Sequence, residues 1–310
     1  MRLAQYRIYG LVVSSEIALP GAMQSMEDAG DFDVIVRRGA VPEALEGATT
    51  EGPNWSIRGG TFLLCVPRVA RFLMKDGEEI VVQTEPEGDA GDAAIFLLGS
   101  ALGILLYQRR RIVLHASAVC VGGKAVLFCG PSGSGKSTTA AALNARGYAL
   151  IADDMCCLDP DASDPPFILP DGRMSKLWND ATNYLQLTSR RGPSVRAGID
   201  KHYVELDADP ALRSLPLGPV YVLQEPAPPD VAGIRPVRLA DAVAELGRNA
   251  FRAHIMRAMG LSENFFAATA AALQHSAVYY LTRPMTFDTM DDAISDLEDH
   301  WRELSLRVPA

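Results

Sequence analysis

The octapeptide Gly130-Pro131-Ser132-Gly133-Ser134-Gly135-Lys136-Ser137 follows the apolar run Ala125-Val126-Leu127-Phe128-Cys129 and leads into Thr138-Thr139-Ala140-Ala141-Ala142-Leu143. An apolar run, a glycine-rich turn and then a row of helix formers predict strand, loop and helix. That context turns G-x-x-x-x-G-K-[ST] from a string of letters into a phosphate cradle. The glycines allow successive backbone N–H groups to face inward, and the positive end of the following helix adds to the anion site. The residues from Gly130 to Ser137, with Thr138, are therefore candidate nucleotide contacts. Lys136 would reach the β- and γ-phosphates, and the Ser137 hydroxyl would ligate Mg²⁺.

A cradle alone holds a nucleotide; transfer of a phosphoryl group also needs a metal-ordering acid and a group that prepares the nucleophile. After the loop helix, which should stop near Arg146-Gly147, the strand Ala149-Leu150-Ile151-Ala152 runs into Asp153-Asp154. One carboxylate can order Mg²⁺ while the other takes a proton from a substrate hydroxyl. Successive side chains on a strand point oppositely, so the two need not share a role. Upstream, Leu114-His115-Ala116-Ser117-Ala118 puts a histidine on the strand before the loop strand. If the two strands are neighbours, His115 lies at the carboxyl edge of the sheet, where it would tune a carboxylate or contact the γ-phosphate.

The 310 residues suffice for one large domain or two smaller ones, and 48% hydrophobic with 22% charged residues is the balance of a soluble globular protein. A net charge of -9 argues against nucleic acid or an anionic membrane as partner. Five cysteines, an odd number without C-x-x-C spacing, read as strand filling in a reducing cytoplasm. The N-terminus lacks the apolar core of a signal peptide. Residues 93–107 are almost wholly apolar but shorter than the ~20 residues needed to cross a bilayer. They read as a buried helix, capped by Asp92, with Gly99 and Gly103 permitting close packing.

Two parts are expected: a β-rich N-terminal domain over 1–90, a candidate for peptide recognition, and a nucleotide-binding domain over 91–310. In the first, residues 6–13 and 32–37 have strand composition, and 71–74 with 80–82 flank a credible hairpin turn. In the second, strands are expected over 111–119, 124–129, 202–206 and 220–223. A surface loop is expected over 159–171 and a Pro-rich loop at 226–229. A helix over 239–257 would carry Arg248, Arg252 and Arg257, and an amphipathic helix through Met290, Ile294, Leu297, Trp301 and Leu304 would end the chain.

His115, then Gly130 to Ser137, then Arg146-Gly147-Tyr148-Ala149-Leu150-Ile151-Ala152-Asp153-Asp154 resembles the catalytic domain of HPr kinase/phosphorylase. The resemblance is closer to the shorter HPr-kinase-like kinases associated with ribosomally made peptides, lasso peptides among them. It covers roughly residues 111–158. The resemblance implies an α/β P-loop fold and an ATP- and Mg²⁺-dependent serine kinase acting on a peptide or small protein, with oligomers common. It implies Asp154 as general base, Ser137 as a magnesium ligand, and His115 and Lys136 as catalytic, which leaves Asp153 of the acidic pair to order Mg²⁺ beside Ser137. The Glu-x-Arg-Gly signature of the bacterial enzyme is not reproduced, which counts against HPr as substrate and against phosphorolysis. Gly247-Arg248-Asn249 echoes a family arginine, while Lys176, Arg196 and Lys201 are candidates for gripping phosphate or a peptide carboxylate. The competing expectations are a nucleotide-binding sensor or regulator without phosphotransfer, HPr(Ser) kinase/phosphorylase proper, and a small-molecule kinase.

Overall fold

The computed structural model describes residues 3–24, 31–159, 166–171, 174–196, 198–207, 214–225, 232–284 and 286–308. The N-terminal part forms an eight-stranded sheet. Its strands are β1 (Ala4–Ile8), β2 (Leu11–Ser15), β3 (Val34–Arg38), β4 (Thr50–Gly52), β5 (Trp55–Arg58), β6 (Thr61–Val66), β7 (Ala70–Lys75) and β8 (Glu79–Thr84), in the order β1-β2-β3-β8-β7-β6-β5-β4. The hairpin expected near 71–82 is β7–β8, turned by Asp76 (φ 52°) and Gly77 (φ 74°). Two left-handed residues match the twist of the flanking strands. The same device at Tyr9 (φ 51°) and Gly10 (φ 73°) splits residues 6–13, expected as one strand, into the β1–β2 hairpin.

The chain then enters a long helix: α1 (Ala90–Phe96), a π turn Leu97–Ala101 and α2 (Leu102–Gln108). Its N-cap is Asp89 rather than Asp92; the Asp89 carboxylate accepts from the N–H groups of Gly91 (2.7 Å) and Asp92 (3.2 Å). At 19 residues the helix is also longer than the apolar run predicted, long and apolar enough by length and composition to cross a membrane. Here it is mostly buried in protein, between the N-terminal sheet and the rest of the chain. Of Gly99 and Gly103, only the second serves close packing. A Cβ on Gly103 would come 2.7 Å from the Phe251 ring, whereas nothing lies within 4 Å of a Cβ on Gly99.

The remaining strands are β9 (Ile112–Leu114), β10 (Ala116–Val121), β11 (Lys124–Cys129), β12 (Leu150–Ala152), β13 (Cys156–Asp159), β14 (Phe167–Leu169), β15 (Ser175–Trp178), β16 (Arg191–Ser194), β17 (Lys201–Val204), β18 (Leu215–Leu223), β19 (Gly233–Pro236) and β20 (Val278–Thr282). Nine of them form one sheet that forks at β18. One arm runs β12-β10-β11-β18-β20-β19 and the other β18-β14-β13-β9. β11 is parallel to β18, and β18 to β20. Strands β15, β17 and β16 make a separate small sheet.

Helix α3 (Lys136–Ala145) and the C-terminal helix α8 (Met290–Glu303) cover one face of the first arm. Between them in sequence come α4 (Asn179–Tyr184), α5 (Leu239–Arg248), α6 (Ala253–Ala258) and α7 (Ser262–Ala272). The alternation along β11 explains the layering. Val126 and Phe128 pack with Leu143, Ile294, Leu297 and Trp301, while Ala125, Leu127 and Cys129 face the second cluster. That second cluster runs without a break through α5, α7, the long helix and the inner face of the N-terminal sheet.

Several expectations are corrected here. Residues 111–119 are not one strand but β9 and β10, parted by a bend at His115. The 239–257 helix is α5 and α6, parted at Asn249–Arg252, where Ala250 bridges to Leu114 and the Phe251 N–H donates to the Val113 carbonyl (2.9 Å). The loop expected over 159–171 contains β14 in the sheet; residues 160–165 and the Pro-rich 226–229 lie outside the described residues. Leu304 caps α8 at 36% exposure rather than joining its buried face.

Candidate functional site

Both β9–β10 and β12–β13 cross from one arm of the forked sheet to the other, and they cross side by side. β9 pairs with β13 through Leu114 and Cys156, and β10 pairs with β12 through Ala118 and Ala152. His115 sits in the first crossing and Asp153-Asp154 in the second. β10 runs antiparallel to β11 with Ala116 opposite Cys129, so the crossing stands beside the glycine loop that begins at Gly130.

The loop has the backbone its sequence calls for. Gly130 (φ 138°), Gly133 (φ 84°) and Gly135 (φ 88°) occupy conformations that L side chains avoid, and a Cβ on Gly130 would come 2.9 Å from the Leu223 carbonyl. Asn249 Oδ1 accepts the Gly130 N–H (2.8 Å), while the Asn249 carbonyl accepts the N–H of His115 (2.8 Å). One residue in the break between α5 and α6 thus fastens the loop to the crossing. Within Gly247-Arg248-Asn249, where the sequence offers an echo of a family arginine or simply a helix-surface charge at Arg248, it is the asparagine that makes this joint. Lys136 is 6% exposed and its Nζ donates to the carbonyls of Gly130 and Pro131, both at 2.8 Å. Burial pushes the Lys136 ammonium below the usual lysine range, partly offset by Asp153 and Asp154.

Asp153 is buried and gathers donors from four directions. Ser117 Oγ (2.7 Å) and Ser137 Oγ (2.8 Å) donate to Oδ1; Ser175 Oγ (2.7 Å) and the Lys176 N–H (3.1 Å) donate to Oδ2. Its own N–H donates to Asp171 Oδ2 (3.0 Å). Ser117 and Ser175 carry no local sequence signal; only the placement of β10 and β15 beside the crossing reveals them. The Ser137 hydroxyl and the Asp153 carboxylate are hard oxygen donors, the set that fits Mg²⁺. Among the described residues no cluster of three or more His, Cys, Asp or Glu could hold a metal. A magnesium site completed by phosphate oxygens and water needs none.

Asp154 stands apart from Asp153, but not by strand alternation: β12 ends at Ala152 and both aspartates lie in the bend that follows. Its φ of 74° is unusual for a residue with a side chain, though aspartate tolerates it better than most. Oδ1 lies 3.5 Å from His115 Nδ1 and Oδ2 lies 3.1 Å from Lys176 Nζ. The closer contact of the histidine is to the backbone: Nδ1 donates to the Asp154 carbonyl at 2.8 Å. A carbonyl can only accept, so this assigns the Nδ1–H tautomer and leaves Nε2 as the acceptor of the neutral ring. Tyr9, from the N-terminal hairpin, donates its hydroxyl to the carbonyl of Met155 (3.3 Å) and buttresses the crossing from below.

Two clefts meet at His115. The first, with a cavity volume of about 400 Å³, is lined by the glycine loop, Lys136, Ser137, Thr138, Asp153 and Asp154, with Trp178, Lys201 and Arg283 further out. The second, about 600 Å³, is lined by Pro131, Ser132, Arg248, Phe251 and Arg252. The structure therefore brings His115, Lys136, Ser137, Asp153, Asp154 and Lys176 together. Lys201 sits 5.8 Å over the half-exposed Trp178 ring in the first cleft. Arg248 is largely exposed, pairs with Glu245 (3.6 Å) and borders the second cleft. Arg196 is not brought to the site; it pairs with Asp92 at 3.2 Å.

No protein-family model matches the chain. Over 102 aligned residues it is 34% identical to the HPr kinase/phosphorylase of Limosilactobacillus reuteri, in two strains with the same figures. The alignment covers 29% of this chain, and the chain spans 31% of the length of those relatives. Among solved structures it resembles the Hpr(Ser) kinase/phosphatase from Coxiella burnetii, at a TM-score of 0.33 and 13% identity, over 62% of this chain and 92% of that one. The chain thus has distant similarity to HPr kinase/phosphorylase over part of its length, within a mixed α/β architecture of several sheets.

Proposed function

We propose that the chain is an ATP- and Mg²⁺-dependent kinase that phosphorylates a serine hydroxyl on a peptide or small protein, a lasso precursor peptide being the acceptor class implied by the motif resemblance. The observation that carries the reading is the meeting of two clefts at His115, with the Asp154 carboxylate in the first cleft 3.5 Å from that histidine. A transferase needs a donor seat and an acceptor seat on either side of one proton acceptor. The first cleft, floored by the phosphate loop, suits the triphosphate; the second, bordered by Arg248, Phe251 and Arg252, suits the acceptor.

The residues divide the work. Loop N–H groups and Lys136 bind the phosphates and neutralise charge that develops on them. Magnesium held by Ser137 and Asp153 would supply further charge neutralisation at the β- and γ-oxygens. Asp154 takes the serine proton as the serine oxygen bonds to the γ-phosphorus and the bond to the β-bridging oxygen breaks. Lys176 holds Oδ2 of Asp154, and Oδ1, 3.5 Å from His115 Nδ1, would receive that proton. His115 fixes the backbone on which the base is mounted.

Incubation with γ-labelled Mg-ATP and a serine peptide library tests the reading. Label should appear in peptide with the wild-type protein and fall at least about 100-fold with Asp154→Asn. Equal labelling by the variant removes Asp154 from the mechanism; nucleotide binding with no acceptor in any library favours a sensor instead.

A further inference from the structure

Arg283 directly follows β20 and is only 6% exposed. Its terminal nitrogens donate to Thr139 Oγ1 (3.1 Å), in the first turn of α3, and to the Pro284 carbonyl (3.2 Å). Nε has no partner. Among the described residues no carboxylate pairs with it, and burial alone pushes its guanidinium below the usual range. Arginine keeps its proton under all ordinary conditions, so a buried guanidinium without an anion is expensive. The other cations around the first cleft are answered locally: Lys176 by Asp154, Lys136 by two loop carbonyls, and Lys201 by the Trp178 face.

Topology explains how the side chain reaches the cleft. β20 is parallel to β18, which is parallel to β11, so the chain leaves β20 at the same sheet edge as it leaves β11 for the glycine loop. Arg283 lines the cleft beside Thr138. The wall continues through Thr286, Phe287 and Met290, all uncharged, whereas Asp154 and Lys176 mark the opposite chemistry, that of the reacting phosphate.

Resting on the nucleotide reading above, we propose that Arg283 is the seat of a non-transferred phosphate, the α-phosphate, with Phe287 and Met290 walling the nucleoside beside it. The guanidinium offers a fork of N–H groups, one of them unused, to an oxyanion. The alternative role is a staple joining β20 to α3 through Thr139.

The two roles separate in one set of measurements on Arg283→Met. A phosphate seat predicts Mg-ADP and Mg-ATP binding weakened about tenfold or more by calorimetry, with the melting temperature of the nucleotide-free protein unchanged or raised. Unchanged affinity, with or without a lowered melting temperature, overturns the proposal. Should the methionine variant fail to fold, the wild-type protein decides. The Arg283 Nε–H resonance should shift and gain exchange protection with Mg-ADP but not with adenosine; the same response to both, or to neither, refutes it. Wild-type protein that binds neither nucleotide removes the underlying nucleotide reading as well, a failure distinct from intact binding that ignores Arg283.

Discussion

His115 Nδ1 lies 2.8 Å from the backbone carbonyl of Asp154 and 3.5 Å from its carboxylate. The histidine therefore holds the crossing strand first and the side chain second. Its loss should loosen the mount of the base without disturbing the phosphate loop, which is tied instead through Asn249. For His115→Ala we expect kcat to fall roughly 100-fold with the affinity for Mg-ATP within about twofold of wild type. Steady-state kinetics beside nucleotide titration checks the split; a loss confined to nucleotide affinity contradicts it.

Asn249 gives the opposite pattern. Asn249→Ala leaves the Gly130 N–H without its acceptor at the entrance to the loop. The expected result is a stability loss of about 1–2 kcal/mol in urea denaturation and weaker nucleotide binding, with residual turnover at saturation close to wild type. A large fall in kcat at saturating Mg-ATP would show that Asn249 acts on the chemistry rather than on the loop.

The buried carboxylate of Asp153 accepts from Ser117, Ser137, Ser175 and the Lys176 N–H, so truncation strands donors from three elements. Asp153→Ala should cost about 2 kcal/mol or more in stability and shift half-maximal activity to a much higher magnesium concentration. Denaturant melts and a magnesium titration read these separately. A stable variant with normal magnesium response would remove Asp153 from both roles.

His300 supplies a pH dependence far from the site. On α8 its Nδ1 is hydrogen-bonded with the Tyr221 hydroxyl (2.7 Å), and its ring packs edge-on against Tyr279. Burial holds its pKa below the ordinary 6.5, with Glu303 pulling weakly the other way. The unfolded chain then binds a proton that the folded chain refuses. Stability from this group is present above pH 6.5 and is lost as pH falls below it, toward the depressed folded value. Thermal melts of His300→Gln should show a flatter acid limb than wild type between pH 7 and 5. Parallel limbs would contradict the assignment.

How much of this was legible in the sequence follows from how local each feature is. The glycine loop, its flanking strand and helix, and the β7–β8 turn are written in consecutive residues, and the structure has them where the residues put them. The break at His115 is not, because Leu114-His115-Ala116 has perfect strand composition. The bend comes from pairing with two different arms of a forked sheet. The α5–α6 break likewise lacks glycine or proline at its centre. Asn249 and Ala250 are drawn out of the helix by the loop and by β9, and Arg252 takes a left-handed conformation (φ 46°). Arg283 gave no signal at all, since its meaning depends on β20 being parallel to β18.

The central claim is a triphosphate seated on residues 130–137 with its terminal phosphorus facing Asp154. A crystal structure with Mg²⁺ and a non-hydrolysable ATP analogue measures it directly. The account predicts the γ-phosphorus within about 5–6 Å of Asp154 Oδ1, room for one acceptor oxygen between them. A γ-phosphate turned away from Asp154, or a nucleotide bound outside the first cleft, would contradict it.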